Sequence, residues 1–147
     1  HPILKGVNGA WGPTDVYGIR RLPKRAKVLL RGQVLEGMSP TDSALEGEKN
    51  SPMMPLAWTL ETPLRQEPSE ATLVTRRTMC TTLGASQDFE SEGLRRLLVN
   101  ASYWCLDIEH LISDKSEVSY VTDYKPTPFG HGSYQRGLKP IDLNLED

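Results

Sequence analysis

The chain has 147 residues, of which 37% are hydrophobic and 24% are charged, a balance typical of one globular domain. Its 17 basic and 19 acidic residues are mixed along the sequence and give a formal net charge of −2, so there is no basic footprint for a nucleic acid. No apolar run approaches the ~20 residues that a membrane-spanning helix needs. We therefore expect neither a nucleic acid nor a membrane as a partner.

The beginning of the chain reads as loops and turns. Residues 1–7 form an extended opening segment, in which Pro2 disfavours helix at the residue before it. The first residue is histidine rather than methionine, which indicates a processed chain or a fragment. Residues 8–13 hold Trp11 between glycines, as in a loop. The basic run at residues 20–25 favours a solvated turn over an anion site.

Three segments have the β-branched and apolar composition of strands. They are residues 26–35, 54–61 and 71–84. Pro55 lies near the start of the second segment, where a missing N–H is tolerated. Because a short polar connection separates the second and third segments, we expect them to pair antiparallel. Residues 38–53 form a long polar loop, and loops of that length usually line a surface or a site.

The clearest helical pattern runs over residues 89–106. Apolar residues recur at helical spacing along one side, namely Leu94, Leu97, Leu98, Ala101, Trp104, Cys105 and Ile108. The other side carries Glu90, Glu92, Arg95, Arg96 and Asn100. We expect the apolar side to pack on the sheet. Cys80 and Cys105 lie among apolar residues and lack a CxxC spacing, which favours two buried free thiols over a disulfide.

Residues 84–88 form the turn between the third strand and the helix, the place where open α/β sheets hold their sites. Gly84 would let a ligand approach the N–H groups at the helix N-terminus. The Ser86 hydroxyl could bind a sugar or cap the helix, and capping is favoured because serine and aspartate are preferred cap residues. Asp88 has the same two interpretations.

These elements divide the chain into two parts. Residues 1–115 hold three strands and one helix, and residues 116–147 are an extended tail rich in proline, glycine and aromatic residues, packed on the domain or on a partner. One helix covers only one face of a sheet, so the other face needs further chain or a partner to cover it. We therefore expect the second half of a larger α/β domain.

Seven ordered blocks of sequence cover nearly the whole chain: residues 1–7, 11–18, 32–38, 52–59, 81–86, 92–100 and 124–130. Together they resemble the trehalose-utilisation (ThuA-like) family. The resemblance implies the class I glutamine amidotransferase-like fold, a flavodoxin-like α/β sandwich. This chain would be its C-terminal half, with a mixed sheet, one main amphipathic helix and the extended tail. The resemblance also implies a role in bacterial uptake and breakdown of disaccharides, and some relatives are thought to act on 3-keto sugars.

One position departs from the family pattern. Many relatives carry a histidine after the glycine that follows Thr-Thr-Leu, where an imidazole could act as acid, base or ligand. Here that position is Ala85, so a histidine-dependent mechanism is not implied. The chain also lacks the cysteine–histidine pair of the amidotransferases in recognisable form, so glutamine hydrolysis is not implied either.

The resemblance therefore predicts a domain of bacterial carbohydrate metabolism that acts on or binds a trehalose-type disaccharide or a keto-sugar derivative. The alternative is a non-catalytic sugar-recognition or protein-interaction module that uses the C-terminal tail. Whether the chain is an enzyme stays open, as does the compartment, bacterial cytoplasm or periplasm. The expected partner is a small-molecule sugar, and a homo-oligomer is a further option.

The candidates for catalysis are Glu36, Asp42, Ser86 and His131. Glu36 and Asp42 flank the long loop and could form a carboxylate pair for acid–base chemistry, although surface solvation explains them equally well. Ser86 lies at the strand end. His131 lies between two glycines, and a flexible surface residue is the alternative interpretation for it.

The candidates for substrate binding are Trp11, Asp15, Tyr17, Gly84 and Ser86. Trp11 could stack on a sugar ring, whereas Trp58 alternates with apolar neighbours in a strand and is expected in the core. The chain has three histidines, His1, His110 and His131. They are too scattered to ligate one metal, and none has a carboxylate or a cysteine at a diagnostic interval. We expect no metal and no cofactor.

Overall fold

The computed structural model of the chain describes residues 1–64, 75–128, 130, 132 and 136–143. Within them lie the strands β1 (Lys27–Gly32), β2 (Met54–Pro63) and β3 (Thr75–Thr81) and the helix α1 (Glu92–Cys105). Short 3₁₀ segments are Pro2–Leu4, Glu48–Asn50, Ser86–Glu90, Glu109–Leu111 and Pro140–Leu143. The expected α/β class, with an open sheet and one main helix, is confirmed.

The three strands form one antiparallel sheet in the order β1-β2-β3. The expected pairing of the second and third strands is confirmed, with Trp58 opposite Cys80. The resemblance implies a mixed sheet, but every strand pair in the described residues is antiparallel. Residues 71–74, the start of the third expected strand, lie outside the described residues.

The first strand ends three residues earlier than expected, at Gly32. The backbone N–H and carbonyl of Val34 are bonded by the side-chain amide of Asn50, at 2.8 Å each, instead of by a strand neighbour. Leu35 then makes an isolated antiparallel bridge with Ala44. The long loop is therefore folded back on itself and closed by its own polar side chains.

The hydrophobic core lies mainly between α1 and one face of the sheet, and Leu56 extends it to the other face, beside Gly32. Its buried residues are Ile3, Leu56, Ala57, Leu83, Leu94, Leu97, Ala101 and Trp104. Fully burying a leucine side chain contributes about 1.5–3 kcal/mol, so this cluster is the main stabilising feature of the molecule. Most of the expected apolar side of the helix is confirmed. Cys105, the last residue of α1, is exposed, so the expectation of a buried thiol is wrong there. Cys80 is half-buried, and both cysteines are free.

The second face of the sheet carries the row Val28, Trp58 and Cys80, which are cross-strand partners and all half-buried. Partners across an antiparallel pair point to the same side, and the neighbouring row faces α1, since Arg77 of β3 contacts Trp104. Trp58 is thus placed away from the helix rather than in the main core. Val16 lies over part of this second face, because a Cβ added at Gly32 would be 2.8 Å from its Cγ1 atom.

The N-terminal segment, residues 1–14, runs antiparallel along a second side of α1. Asn100 donates from Nδ2 to the carbonyls of Ile3 and Lys5, at 3.0 and 2.9 Å. Gly93 lies against the carbonyl of Gly9, where an added Cβ would be 1.5 Å from the oxygen. The helix is therefore covered on two sides, by the sheet and by this segment.

This second covered side corrects the expectation that Arg96 and Asn100 belong to the open polar side of the helix. Arg96 is 8% exposed and Asn100 is 1% exposed. The Arg96 guanidinium compensates for burial by donating to the Ser116 carbonyl at 2.9 Å and to Glu92 at 2.8 Å. Buried polar groups need such partners, and polar residues that have them can line a packed face.

Candidate functional site

The turn between β3 and α1 is built around the carboxylate of Asp88. This side chain is fully buried. It accepts hydrogen bonds from the backbone N–H groups of Gly84 at 2.8 Å and Ala85 at 3.0 Å, and from the Thr14 hydroxyl, which lies 2.9 Å from both carboxylate oxygens. The N–H groups expected to face a ligand are therefore occupied by the protein's own carboxylate.

The expected helix cap at Ser86 is wrong, because Ser91 caps α1. The Ser91 hydroxyl accepts from the N–H of Leu94 at 3.4 Å and from the N–H of Trp11 at 3.2 Å. A 3₁₀ segment, Ser86–Glu90, comes between the turn and the α-helix, so the first turn of α1 begins later than expected. The signal for this cap is local, a serine directly followed by an acidic residue in the first turn.

The N-terminal segment meets this turn at three points. The Trp11 backbone bonds to Ser91, the Thr14 hydroxyl bonds to Asp88, and Gly12 packs so tightly that an added Cβ would be 2.2 Å from an Asp88 carboxylate oxygen. We call residues 11–15 together with residues 84–88 the corner. Among the expected substrate-binding residues, Trp11, Asp15, Gly84 and Ser86 are brought together there.

The side chains at the corner differ in exposure. Trp11 is half-buried, and Asp15, Gly84 and Ser86 are exposed. Tyr17 is 51% exposed two residues after Asp15, and no bond ties its ring to the corner within the described part of the chain. The corner is therefore a surface with an aromatic ring, a carboxylate and a hydroxyl, rather than an enclosed pocket.

The tail lies on the outer side of the corner. The Tyr124 hydroxyl donates to the Ser86 carbonyl at 2.6 Å, and the Ser86 hydroxyl donates to the Thr127 carbonyl at 3.0 Å. The Arg95 guanidinium lies 4.3 Å over the Tyr120 ring, which in turn stacks on Tyr124 with 4.8 Å between ring centroids. Burial, followed by the charges of Tyr120 and Glu90, raises the pKa of Tyr124, which favours the protonated, hydrogen-bond-donating hydroxyl.

The other catalytic candidates lie apart from this arrangement. The Asp42 carboxylate accepts from the Ser39 N–H at 2.8 Å and closes a turn within the long loop. Glu36 is exposed, and its backbone N–H donates to Ser43 at 2.9 Å. In the described residues no contact joins either carboxylate to the corner. His131 lies outside the described residues.

An ion-pair cluster at the other end of α1 escaped the sequence analysis. Arg77 of β3 donates to the Trp104 carbonyl at 2.9 Å and pairs with Asp107 and Glu109, each at 2.8 Å. The backbone N–H of Glu109 and then the Arg77 guanidinium lower the pKa of the Glu109 carboxyl. The sequence signal was a charged residue inside a strand, which indicates a charge that needs a partner from another element.

A metal site, a membrane-spanning helix and a similarity to known proteins are the remaining questions about the chain. Among the described residues, no three histidine, cysteine, aspartate or glutamate side chains are grouped so as to hold a metal ion. No helix in the part of the chain that the structure describes is long and apolar enough to cross a membrane. No protein-family model, curated protein or solved structure matches the chain.

Proposed function

We propose that the chain is part of a ThuA-like domain of bacterial carbohydrate metabolism and that its corner binds a trehalose-type disaccharide or a keto-sugar derivative. The finer fold, a flavodoxin-like and amidotransferase-like sandwich, belongs to the same proposal. The observation that supports it is the hydrogen bonding of Thr14 and Gly84 to Asp88, which joins the segment that carries Trp11 and Asp15 to the turn that carries Gly84 and Ser86.

The chemistry of these groups suits a sugar. An aromatic face packs against the apolar side of a pyranose ring while its edge stays wet, and Tyr17 offers an exposed ring two residues after Asp15. A carboxylate accepts from neighbouring sugar hydroxyls, and the Asp15 carboxylate has no hydrogen bond or ion pair within the described residues, so it is available. A protein that recognises a polar ligand in this way needs few, well-placed polar groups.

Binding is favoured over catalysis in this proposal. Acid–base catalysis needs a titratable group within about 2.6–3.2 Å of the proton that moves. Asp88 is the carboxylate at the centre of the corner, and its oxygens already accept three donors. Ala85 provides no imidazole. The described residues thus offer recognition groups at the corner, and its free carboxylate, that of Asp15, has no imidazole or other bonded partner among them to act with it in catalysis.

The experiment is isothermal titration calorimetry of the protein with trehalose and with its 3-keto form. We expect saturable binding that Tyr17→Ala weakens about tenfold, the loss of one aromatic contact of about 1.4 kcal/mol. Asp15→Asn should weaken it by a similar factor. Leu111→Ala and Asp114→Asn are matched controls, because both residues are exposed and lie away from the corner; they should bind as the unchanged protein does.

Two results would remove the proposal. One is the absence of saturable binding for every sugar tried. The other is binding that both Tyr17→Ala and Asp15→Asn leave unchanged, which would place the ligand elsewhere. Turnover of a bound sugar, detected by chromatography of the same mixtures, would instead keep the site and overturn its non-catalytic assignment.

The alternative function, a protein-interaction module that uses the tail, stays a prediction. Val121 of the tail is 93% exposed. The Tyr120 hydroxyl, however, donates to the Phe89 carbonyl at 3.2 Å, and the hydrogen bonds of Tyr124 and Thr127 described above are likewise made to the same chain, in the 3₁₀ segment before α1. Because intrachain packing accounts for these contacts, they do not themselves favour an external partner.

A further inference from the structure

A small cleft lies at the C-terminal end of α1, at the opposite end of the helix from the corner. It has a volume of 210 Å³ and is lined by His1, Arg25, Lys27, Thr59, Glu61 and Trp104. We propose that this cleft binds a small oxyanion, the phosphate or carboxylate group of a small ligand. The proposal is independent of sugar binding at the corner.

The walls of the cleft are rigid. Lys27 of β1 is the cross-strand partner of Thr59 of β2, so the sheet fixes the distance between their backbones. Thr59 and Trp104 are each 3% exposed and form the packed floor. Trp104 is further held by the His1 ring, whose centroid lies 5.2 Å away, and by the Arg77 guanidinium at 5.1 Å.

Two cations at the cleft are available to a ligand. Among the described residues, the side chains of Arg25 and Lys27 have neither a hydrogen bond nor an ion pair. Arg25 lies in the turn that the Ala26 N–H closes on the Pro23 carbonyl, Lys27 is the first residue of β1, and both residues line the cleft. Two adjacent positive charges without a partner attract an anion, and the surrounding low-dielectric wall strengthens that attraction.

The other polar groups that line the cleft, Glu61 and His1, do not neutralise the positive charge of Arg25 and Lys27. Glu61 pairs with Arg77 at 3.8 Å, so its carboxylate is directed in part to another cation. The Nδ1 atom of His1 accepts the Ile3 N–H at 3.3 Å. The proton of the neutral ring is therefore on Nε2, which is an additional donor. The cleft combines two cations with further donors, and one carboxylate lies at its edge.

A comparison with a second cleft shows what distinguishes this one. The second cleft, 220 Å³ in volume, lies beside the start of α1 and is lined by Arg95, Arg96 and residues 115–119. Its guanidinium groups already donate to Val118, Ser116 and Glu92. Those arginines hold the protein's own backbone, so they offer a ligand less than Arg25 and Lys27, which have no bonded partner among the described residues.

The size of the cleft limits the ligand. The volume of the cleft is 210 Å³. That is below the range of roughly 300–1,000 Å³ that is typical of sites for drug-sized ligands. A tetrahedral phosphate or a planar carboxylate fits such a space, whereas a disaccharide does not. The basic run that the sequence analysis assigned to a solvated turn thus contributes one residue, Arg25, to an anion site.

The experiment follows ¹⁵N-labelled protein by NMR during titration with inorganic phosphate and, separately, with acetate, at constant ionic strength. We expect saturable shifts at Lys27, Thr59 and Trp104. Arg25→Gln and Lys27→Gln should each weaken binding roughly fivefold, and the double variant about 25-fold, because each charge contact at about 4 Å in water contributes a factor of that size.

The matched control is the double variant Arg21→Gln and Lys24→Gln. It removes the same charge from the same basic run, and both residues are exposed and outside the cleft. Tighter binding of phosphate than of acetate would assign the ligand a phosphate group, and the reverse order a carboxylate. The proposal is overturned by titrations without saturation for both anions, or by a control that loses as much affinity as the cleft variant. Failure of the protein to bind a sugar at the corner would not change the anion titrations expected for the cleft, so the two proposals can fail separately.

Discussion

Asp88 acts as an internal anion for the turn that joins the sheet to the helix. In many α/β proteins a bound phosphate or carboxylate accepts from backbone N–H groups at such a turn. Here the protein's own side chain accepts from Gly84 and Ala85, and Thr14 adds a third donor. The same contacts that hold the turn also hold the N-terminal segment.

Replacing the Asp88 carboxylate by an amide tests this description. Asp88→Asn puts an NH₂ group among donors, so at least one hydrogen bond is lost, and we expect the free energy of unfolding to fall by about 1–3 kcal/mol. Urea denaturation followed by circular dichroism measures it. The control is Glu90→Gln, an exposed residue in the same 3₁₀ segment, which should change stability by no more than about 0.5 kcal/mol. Equal effects in the two variants would contradict a central role for Asp88.

For single residues, the sequence predicts the type of interaction a side chain makes better than it predicts where in the structure that interaction occurs. Ser86 and Asp88 are cap-forming residue types, and they do lie at a helix start, but the N–H groups of α1 are capped by Ser91. The sequence predicts that Arg96 and Asn100 face the solvent, because a hydropathy pattern assigns polar side chains to the exposed side of a helix. It does not show that a buried amide will find two carbonyls in a segment that precedes it by 95 and 97 positions.

The helix α1 is the element on which the packing of the molecule depends. Its periodicity predicts its existence and its apolar side, since those follow from local sequence. Its start shifted because a 3₁₀ segment has no strong hydropathy signature of its own. Its second packed side was not predicted, because the N-terminal segment that covers it forms no strand or α-helix with a recognisable period.

Gly93 is the position at which this second packing is tightest, and its substitution tests it. Alanine favours helix over glycine by about 1 kcal/mol, so a position facing open space would be stabilised. Here the added Cβ would be 1.5 Å from the Gly9 carbonyl oxygen, and we expect Gly93→Ala to destabilise the protein by about 1–3 kcal/mol in thermal denaturation.

The matched control for that variant is Gly84→Ala. An added Cβ at Gly84 meets nothing within 4 Å, so the change should be neutral or stabilising by up to about 1 kcal/mol. A stabilised Gly93→Ala protein would mean that the N-terminal segment does not lie against the helix there.

At the scale of the whole molecule, Arg77 connects the sheet to the C-terminal end of α1. It links β3 to Trp104 and to the acidic residues that follow the helix. The antiparallel pairing of β2 and β3 follows from the short connection between them, whereas β1 is joined to β2 by the long loop. The Arg77 cluster does not, because its members come from residues 27 to 32 positions apart. The resemblance implied a mixed sheet, and the described strands show only antiparallel pairs.

This cluster gives the protein a defined acid sensitivity. The folded pKa of Glu109 is lowered, so its contribution is complete above the ordinary glutamate pKa of about 4.3 and is lost as the pH falls through the lower folded value. Glu109→Gln should therefore be less stable than the unchanged protein at pH 7, and the difference should shrink below about pH 4. Urea denaturation across this range measures it.

Two comparisons make the result specific to Glu109. Glu46→Gln, at an exposed residue without a bonded side chain in the described part of the chain, should keep the pH profile of the unchanged protein. Some acid sensitivity should persist in Glu109→Gln, because Ser119, through its side chain and its N–H, lowers the pKa of Glu117 as well. A stability difference that stays constant from pH 7 to pH 3 would rule out the ion pair as its source.

The antiparallel course of residues 1–14 along α1 also has a consequence for the order in which parts of the chain fold. The segment has no ladder of its own, and its bonds to Asn100, Ser91 and Asp88 require side chains that the formed helix and its preceding turn hold in place. Closing contacts between residues nearly 100 positions apart costs chain entropy before any contact compensates for it. We therefore expect the sheet and the helix to form first and the first residues of the chain to join them last, so that the corner is complete only at that step.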